Sequence, residues 1–506
     1  MRENGNANAM NRPIVFVSTN YLTDRILLHT NLLTRLSQSF QPVVWSPASR
    51  DEAFPKELPT SRYFEPGKDL EAAPYWLTVA RHFNDFTWDH TGMSASRRSY
   101  WHHRKRHESG MNRPYLRWLA RIPAAFKLQL ALEQSLERQM LRYGRRAKIT
   151  AWLRRNTPAA LVTMYPFNPR QMEMMAAAKS VGIPIVAFVT SFDNLTTKTR
   201  LLLEYDGYIV WSENMRRELH ALYPQSRNRP VIVTGAPQFD ILRNESLYQT
   251  REAFLGRYGL DPARKTVVYC LGSPRFINED YGALQLLERM AGKSEFERIQ
   301  IIIRPHPQFH EHLHKVMRSI RERFPHVVIQ GPKGNTSAAP CPTDEGIVEW
   351  VNTMRHADII VNLCSSIVLD GAVFDKPVIN VTFDPEPGTP NGDLVRDINY
   401  KWDHYKPITE SGGTWLAKDT DEILEAIRVY SRTPELQSAQ RKEMLRFICG
   451  EVDGHAAERM ADAVMRIAGL LRTGDISPRE SPVAGDPAAG TPTHGRGPEM
   501  MVDRSR

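Results

Sequence analysis

The chain of 506 residues has four cysteines, Cys270, Cys341, Cys364 and Cys449. They form no CxxC pair and have no histidines at zinc-finger distances, which excludes a disulfide framework and a structural zinc and makes a reducing cytoplasm the default compartment. No run approaches the roughly 18 consecutive apolar residues of a membrane-spanning helix. The start, MRENGNANAMNRPIVFVSTN, lacks a basic segment followed by an apolar one, so nothing in it reads as a secretion signal. There is no HExxH and no cluster of carboxylates. The one Asp-x-Asp, Asp419-Thr-Asp421, stands directly before a helical run, where aspartate is a good N-cap, so no metal site and no cofactor are expected. No repeat with a period of about 20 to 50 residues is evident, which excludes a solenoid or a propeller.

What is present is ordinary globular material, 41% hydrophobic and 24% charged, long enough for two large domains. The net charge of +9 is concentrated in one place. Between Ser94 and Arg155 stand sixteen basic residues, Arg104, Lys105 and Arg106 among them, against three acidic ones, so this segment carries +13 and the remainder −4. Aromatic residues, Tyr100, Trp101, Tyr115, Trp118, Phe126 and Trp152, are interleaved with the charge. From Pro114 to about Arg155 the apolar residues recur at helical spacing, which predicts a long basic helix inserted in the first domain. Such a helix either packs its apolar stripe on its own domain or lies on an anionic membrane surface. Nucleic acid is not the expected partner, since no RNP, zinc-finger or helix-turn-helix signature accompanies the charge. The first eleven residues and the stretch after about Leu471, rich in Pro, Gly and Ser, are expected to be disordered.

The rest alternates short β-rich runs with helical stretches, the pattern of parallel sheets covered on both faces. Six strands are predicted in the first half: 14–18, 42–45, 160–164, 184–189, 207–211 and 230–234. Five follow in a second series, 266–271, 299–304, 326–330, 358–363 and 377–382, after a junction near 244–265. Two such domains would bring their strand C-termini, and the loops that bind ligands, to a shared cleft.

Several motifs fall at those strand ends. Arg304-Pro305-His306-Pro307 follows IQIII, and its prolines fix a backbone that presents Arg304 and His306 at the rim, as cationic and hydrogen-bonding groups suited to phosphate. In Asp358-Ile-Ile-Val-Asn-Leu-Cys-Ser365-Ser366, a buried strand runs into two serines that open a helix. They are either caps or a phosphate seat, and Asp370 one turn later is either a surface residue or a ribose ligand. Gly272-Ser273 ends the first strand of the second series, a close-approach turn without the GxGxxG pattern. In the first half, Ser191-Phe-Asp193-Asn194-Leu-Thr196-Thr197-Lys198 puts six polar groups in eight positions after a strand, more than a simple connection needs.

The order of two Rossmann-like halves, with RPHP after one strand and DIIVNLCSSIVLDGAVFDKPVI in the next unit, resembles the GT-B glycosyltransferases. The similarity is greatest to bacterial surface- and capsule-polysaccharide transferases and to the CDP-glycerol glycerophosphotransferases. TGAPQFD (234–240) resembles the phrase before the interdomain linker in these enzymes and in the UDP-N-acetylglucosamine 2-epimerases, and SFDNLTTK resembles an SxDNLTxKG phrase, with Thr199 where that phrase has glycine. The resemblance spans about Ser180 to His455. It implies an α/β GT-B fold in which 12–250 is an acceptor domain carrying an insertion at 94–155, 251–455 is a nucleotide-donor domain, 456–471 is a return helix and 472–506 is a tail.

The implied activity is a metal-independent transfer of a sugar or alditol phosphate from a nucleotide donor to a cell-envelope polysaccharide or glycolipid, on the cytoplasmic side of the plasma membrane. On this reading Gly272, Ser273, Arg304, His306, Ser365 and Ser366 meet the donor phosphates and Asp370 the ribose, with His306 also a catalytic candidate. Ser191, Asn194 and Lys198 stand on the acceptor side with Asp193 as the general base, and Asp24 and His29 after the first strand are the alternatives for that role. A nucleotide-sugar 2-epimerase is the other enzymatic reading, and a non-catalytic nucleotide- or polyanion-binding protein is the reading of another class.

Overall fold

The computed structural model describes residues 12–56, 58, 75–92, 94–99, 114–143, 147–201, 203–273, 281–306, 314–331, 341–384 and 392–469. The start 1–11, the tail 472–506 and the cluster Arg104, Lys105, Arg106 lie outside them.

Short apolar strands are what a parallel sheet needs, and among the described residues there are two sets of six, buried in the middle of each sheet and partly exposed at edges such as Val231–Val233 and Val328–Ile329. The first set is β1 Pro13–Val17, β2 Gln41–Trp45, β3 Ala160–Thr163, β4 Ile185–Phe188, β5 Gly207–Val210 and β6 Val231–Val233, in the order β2-β1-β3-β4-β5-β6. The second is β7 Lys265–Cys270, β8 Ile299–Arg304, β9 Val328–Ile329, β10 Ile359–Asn362, β11 Val378–Val381 and β12 Trp415–Ala417, in the order β12-β11-β10-β7-β8-β9. All pairings are parallel, in register through pairs such as Val15↔Leu161 and Val268↔Ile360. The strand order reverses direction between β1 and β3 in the first sheet and between β7 and β10 in the second. Ligands of open α/β sheets bind at such switch points, beyond the strand C-termini.

The predicted long basic helix is not one helix. The segment folds as Pro114–Leu119, Arg121–Ala125, Gln129–Tyr143 and Ala147–Asn156, preceded by Tyr75–Asp89, which the sequence reading missed. Pro123 limits the second piece, and Lys127 sits at φ 55°, a left-handed residue that ends it. A few polar groups of these helices are buried, among them Asn84, Asp85, Asp89 and Glu133. The Arg200 guanidinium is sandwiched between the rings of Trp88 (3.8 Å) and Tyr223 (3.9 Å) and makes a fork with Glu133 (Nε to Oε2 2.8 Å, Nη2 to Oε1 3.0 Å). Arg97 is paired with Asp85 (3.3 Å) and Asp89 (3.0 Å) at almost no exposure. The helices between β2 and β3 are thereby fixed to the segment that follows Lys198.

The last helix, Ala456–Ile467, packs on the first sheet's half. Asp240 accepts the amides of Ala456 (3.1 Å) and Ala457 (2.7 Å), and Arg35 pairs with Asp462 at 3.0 Å. The crossing leaves no room for side chains at two glycines. A Cβ on Gly450 would lie 2.5 Å from the Trp211 carbonyl and one on Gly235 2.6 Å from the Glu451 carbonyl, and both residues have positive φ.

Candidate active site

Three groups of residues meet where the C-terminal edges of the two sheets face each other. The first lies at the β7/β10 switch point. Gly272 is buried just past β7, with Ser273 half-buried beside it. Past β10 the backbone turns sharply at Cys364 (φ 50°). Asn362 braces this turn: its amide donates to Asn380 Oδ1 (2.9 Å) and Tyr405 Oη (3.1 Å), while its Oδ1 accepts from Ser365 Oγ (2.6 Å). Ser365 also accepts from the Ile367 amide at 3.3 Å, so it braces and caps the following helix. Ser366 caps no amide and is exposed. Of the two serines, Ser366 is the one whose hydroxyl is available to a ligand.

The second group crosses the cleft. Arg304 ends β8 and donates to Gln330 Oε1 (3.1 Å), and His306 lies two residues on, its imidazole pushed down to about 4 by burial and therefore neutral at pH 7. Asp370 is not a surface residue. It is buried, and Oδ2 accepts the Trp350 indole N–H at 3.0 Å. From the other half, the helix Tyr21–His29 sends Arg25 over the Trp350 ring, 3.9 Å from its centre, within the electrostatic reach of Asp370 and Arg304. The buried Arg25 Nε has no hydrogen-bond partner among the described residues. Burial raises the Asp370 carboxyl, while Arg25, the Trp350 N–H and Arg304 pull it back down. One turn along, His29 Nε2 stands 3.2 Å from the Pro342 carbonyl and Nδ1 3.5 Å from Asp344. Arg25 and Trp350 went unrecognised in the sequence. The available signal was the charge of Asp24-Arg25 on a first helical turn just beyond a buried strand.

In the third group, the loop after β4 meets residues beyond β11. Asp193 is ion-paired with Lys198 (3.3 Å) and accepts from Thr197 Oγ1 (2.9 Å) and Asn194 Nδ2 (3.1 Å). Burial opposes its charge, yet Lys198, His404 and the Ser191 and Thr197 hydroxyls outweigh it and hold the carboxyl well below the usual range. His404, also unforeseen, is 3.2 Å from Thr196 Oγ1 and edge-on to Phe192, and burial pushes it down to about 4. Since Tyr405 beside it contacts Asn362, this loop abuts the Ser365 turn. Ser94 Oγ, within hydrogen-bond reach of the Thr196 carbonyl (2.8 Å) and Asp403 (3.0 Å), ties the third group to the helical insertion.

These partners weigh against Asp193 as a general base, because a carboxylate held so low has little affinity for a proton. Its geometry is that of a loop clamp. Asp24 is different. It lies buried between Ser18 and Ser46, at the ends of β1 and β2, with Oδ1 lacking a hydrogen-bond partner among the described residues, and desolvation pushes its carboxyl up to about 6 against the lowering effect of those serines. Among the described residues no group of three or more His, Cys, Asp or Glu is arranged to hold a metal ion.

The sequence profile described as CDP-Glycerol:Poly(glycerophosphate) glycerophosphotransferase matches residues 176–466, more than half of the chain. The chain belongs to this family. It is a transferase, and the matched span contains β4 to β12 with Gly272, Ser273, Arg304, His306, Ser365, Ser366 and Asp370, while Arg25 and His29 lie before it. No curated protein sequence gives a significant match. Among solved structures, the chain is similar to S. aureus MnaA in complex with UDP, with a TM-score of 0.53 at 12% identity, over 91% of this chain and 98% of that one. It is also similar to the UDP-GlcNAc 2-epimerase of Neisseria meningitidis bound to UDP-GlcNAc, with a TM-score of 0.50 at 12% identity, over 90% of this chain and 100% of that one. At such identities the likeness is one of fold, and that fold is GT-B.

Proposed function

We propose that this family member transfers an alditol phosphate or a sugar from a nucleotide-activated donor to a cell-envelope polysaccharide or glycolipid acceptor. The observation that carries the reading is the convergence of Arg304 and His306 from one half and Arg25 from the other on the edge of β7, β8 and β10, the sheet's ligand-binding switch point.

The donor diphosphate would lie over Gly272 and Ser366, and its leaving nucleotide would be stabilised by the two arginines and by a hydrogen bond from neutral His306. As the acceptor hydroxyl attacks and the bond to the nucleotide breaks, the hydroxyl proton passes to the Asp24 carboxylate. That carboxylate, at about 6, is ionised at neutral pH yet basic enough to accept it. In this scheme Asp193 and Lys198 hold the acceptor-side loop, and charge neutralisation by side chains makes a bound metal unnecessary. The four thiols, all free, suit the cytoplasm, where nucleotide-activated donors are made.

The test is a thermal-shift screen of CDP-, UDP-, GDP- and CMP-linked donors with and without EDTA, followed by product analysis with envelope acceptors. One donor class should raise the melting temperature equally in both buffers and be consumed only when acceptor is present. Conversion of a nucleotide sugar to its 2-epimer without acceptor, or stabilisation that vanishes in EDTA, would sink the proposal.

A further inference from the structure

We propose that the turn 402–405 sets the donor and acceptor sides of the cleft in register, and that Asp403 is the positioning residue through which the helical insertion holds it. The turn lies beyond β11, between the helices Gly392–Lys401 and Lys406–Thr409. It is closed on itself, with the Tyr405 and Lys406 amides each 3.0 Å from the Trp402 carbonyl, so its members move together. Three consecutive residues then direct their side chains to three different elements. His404 reaches the acceptor-side loop, 3.2 Å from Thr196 Oγ1 and edge-on to Phe192. Tyr405 Oη accepts from Asn362 (3.1 Å), whose own Oδ1 fixes Ser365 just ahead of Ser366 on the donor side. Asp403 faces the insertion. Its amide donates to Ser96 Oγ (2.6 Å), and its Oδ2 accepts the Ser96 amide (3.1 Å) with the Ser94 hydroxyl 3.0 Å away.

The insertion is the firm end of this linkage. Ser96 is fully buried, and Arg97 beside it is paired with Asp85 and Asp89 of the helix Tyr75–Asp89. A second contact, Ser99 Oγ to Asp397 Oδ2 at 3.1 Å, holds the helix before the turn in the same way. Hydrogen bonds to a carboxylate are about twice as strong as those between neutral groups, and a buried one left unmade is costly, so Asp403 resists displacement. A turn that merely joined two helices would need no polar partners in the other half of the molecule. This one ties 94–99 and 191–198, both from the first half, to the brace of the Ser365 turn in the second. Group transfer requires the reacting atoms within about 3–3.5 Å of each other, and a misplacement of about 1 Å caused far from the chemistry costs roughly 100-fold in rate. No residue of the turn has to touch a substrate to control that distance.

The test has two arms, of which only the second rests on the transferase reading. In the first, hydrogen–deuterium exchange of the full chain without ligand, Asp403→Ala should speed exchange of the amides in 94–99 and 191–198 by about tenfold or more, the loss of one hydrogen bond to a charged group, and leave β1 and β7 unchanged. Asp403→Asn keeps an acceptor for the Ser96 amide and should restore most of the protection, whereas Ser96→Ala should loosen 191–198 from the other side of the same contact. In the second arm, with the identified donor and acceptor, Asp403→Ala should lower kcat/KM for the acceptor by roughly 100-fold while the donor Kd stays within about twofold. Tyr405→Phe should also lower it, and the double variant should lose less than the product of the two losses, because both act through one turn. Unchanged exchange in 191–198 for both Asp403→Ala and Ser96→Ala, losses that multiply in the double variant, or a donor Kd that rises in step with the loss of kcat/KM overturns the proposal. If Asp403→Ala does not fold, Asp403→Asn and Ser96→Ala decide the first arm. Faster exchange as expected, with no transfer from any donor, supports the linkage and counts against the transferase reading instead.

Discussion

Replacing Asp24 by asparagine should make the protein more stable and less active at once. The carboxyl is pushed up to about 6 in the folded chain, against 3.8 for an unburied aspartate. The folded state keeps its proton up to about pH 6, and the unfolded chain releases it near 3.8. Between those values folding takes up a proton, so stability falls as pH rises through the window, and the full cost is carried above about pH 6. At about 1.4 kcal/mol per tenfold, that cost is about 3 kcal/mol at pH 7.5 and about half as much at pH 5. Asp24→Asn removes the charge but keeps shape and hydrogen-bonding capacity toward Ser18 and Ser46. This should appear as a melting temperature higher by a few degrees at pH 7.5, with a smaller gain at pH 5. Differential scanning fluorimetry at the two pH values reads both gains. Turnover with the identified donor and acceptor should fall by several orders of magnitude while donor affinity stays the same. A variant that melts at or below the parent at both pH values would refute the buried, proton-holding carboxyl, and turnover within tenfold of normal would remove Asp24 from proton transfer.

Three other outcomes follow from specific contacts. Glu133→Ala leaves the Arg200 guanidinium buried without its fork partner and should cost about 3–5 kcal/mol by chemical denaturation, part of which Arg200→Met in the same chain should restore. Arg25→Ala should raise the apparent donor Kd at least tenfold with little change in the unliganded melting temperature, as measured by titration, because a charge-assisted contact is worth about 1.5–3 kcal/mol. Gly450→Ala must place its Cβ against the Trp211 carbonyl at a left-handed φ, so it should lower the melting temperature by several degrees and speed proteolysis at the interdomain crossing.

The strands were legible because each is a short apolar run closed by a turn signal. IQIIIR was read to its last residue, and each of the other ten expected strands is present within two residues at either end. The strand Trp415–Ala417 was missed because three residues after Gly412-Gly413 carry no periodicity. The helix Tyr75–Asp89 was missed for another reason. Its interior holds Asn84, Asp85 and Asp89, which hydropathy assigns to solvent but which are buried against Glu133 and Arg97. Strand-end motifs such as Ser365-Ser366 and Arg304-Pro305-His306 were visible as chemistry at a fixed place in the topology. The pairing of Arg25 with Trp350, and of Thr196 with His404, depends on how two halves dock across more than 200 residues of sequence, and no local pattern encodes that.

Asp370 gives the cross-cleft group a logic of its own. In the structure it is the buried counter-charge that draws Arg25 and Arg304 toward the same point from opposite halves. A diphosphate entering there brings more negative charge than Asp370 offers, with better geometry for bidentate hydrogen bonds, so both arginines gain by turning to it. Asp370 would then stand beside a like charge. Burial already raises its carboxyl, and the removal of two cationic neighbours raises it further, which favours protonation over repulsion. The neutral acid keeps the Trp350 hydrogen bond, and the tryptophan ring continues to support Arg25. Donor binding is thereby coupled to proton uptake at one residue, and the affinity for a nucleoside diphosphate should fall as pH rises.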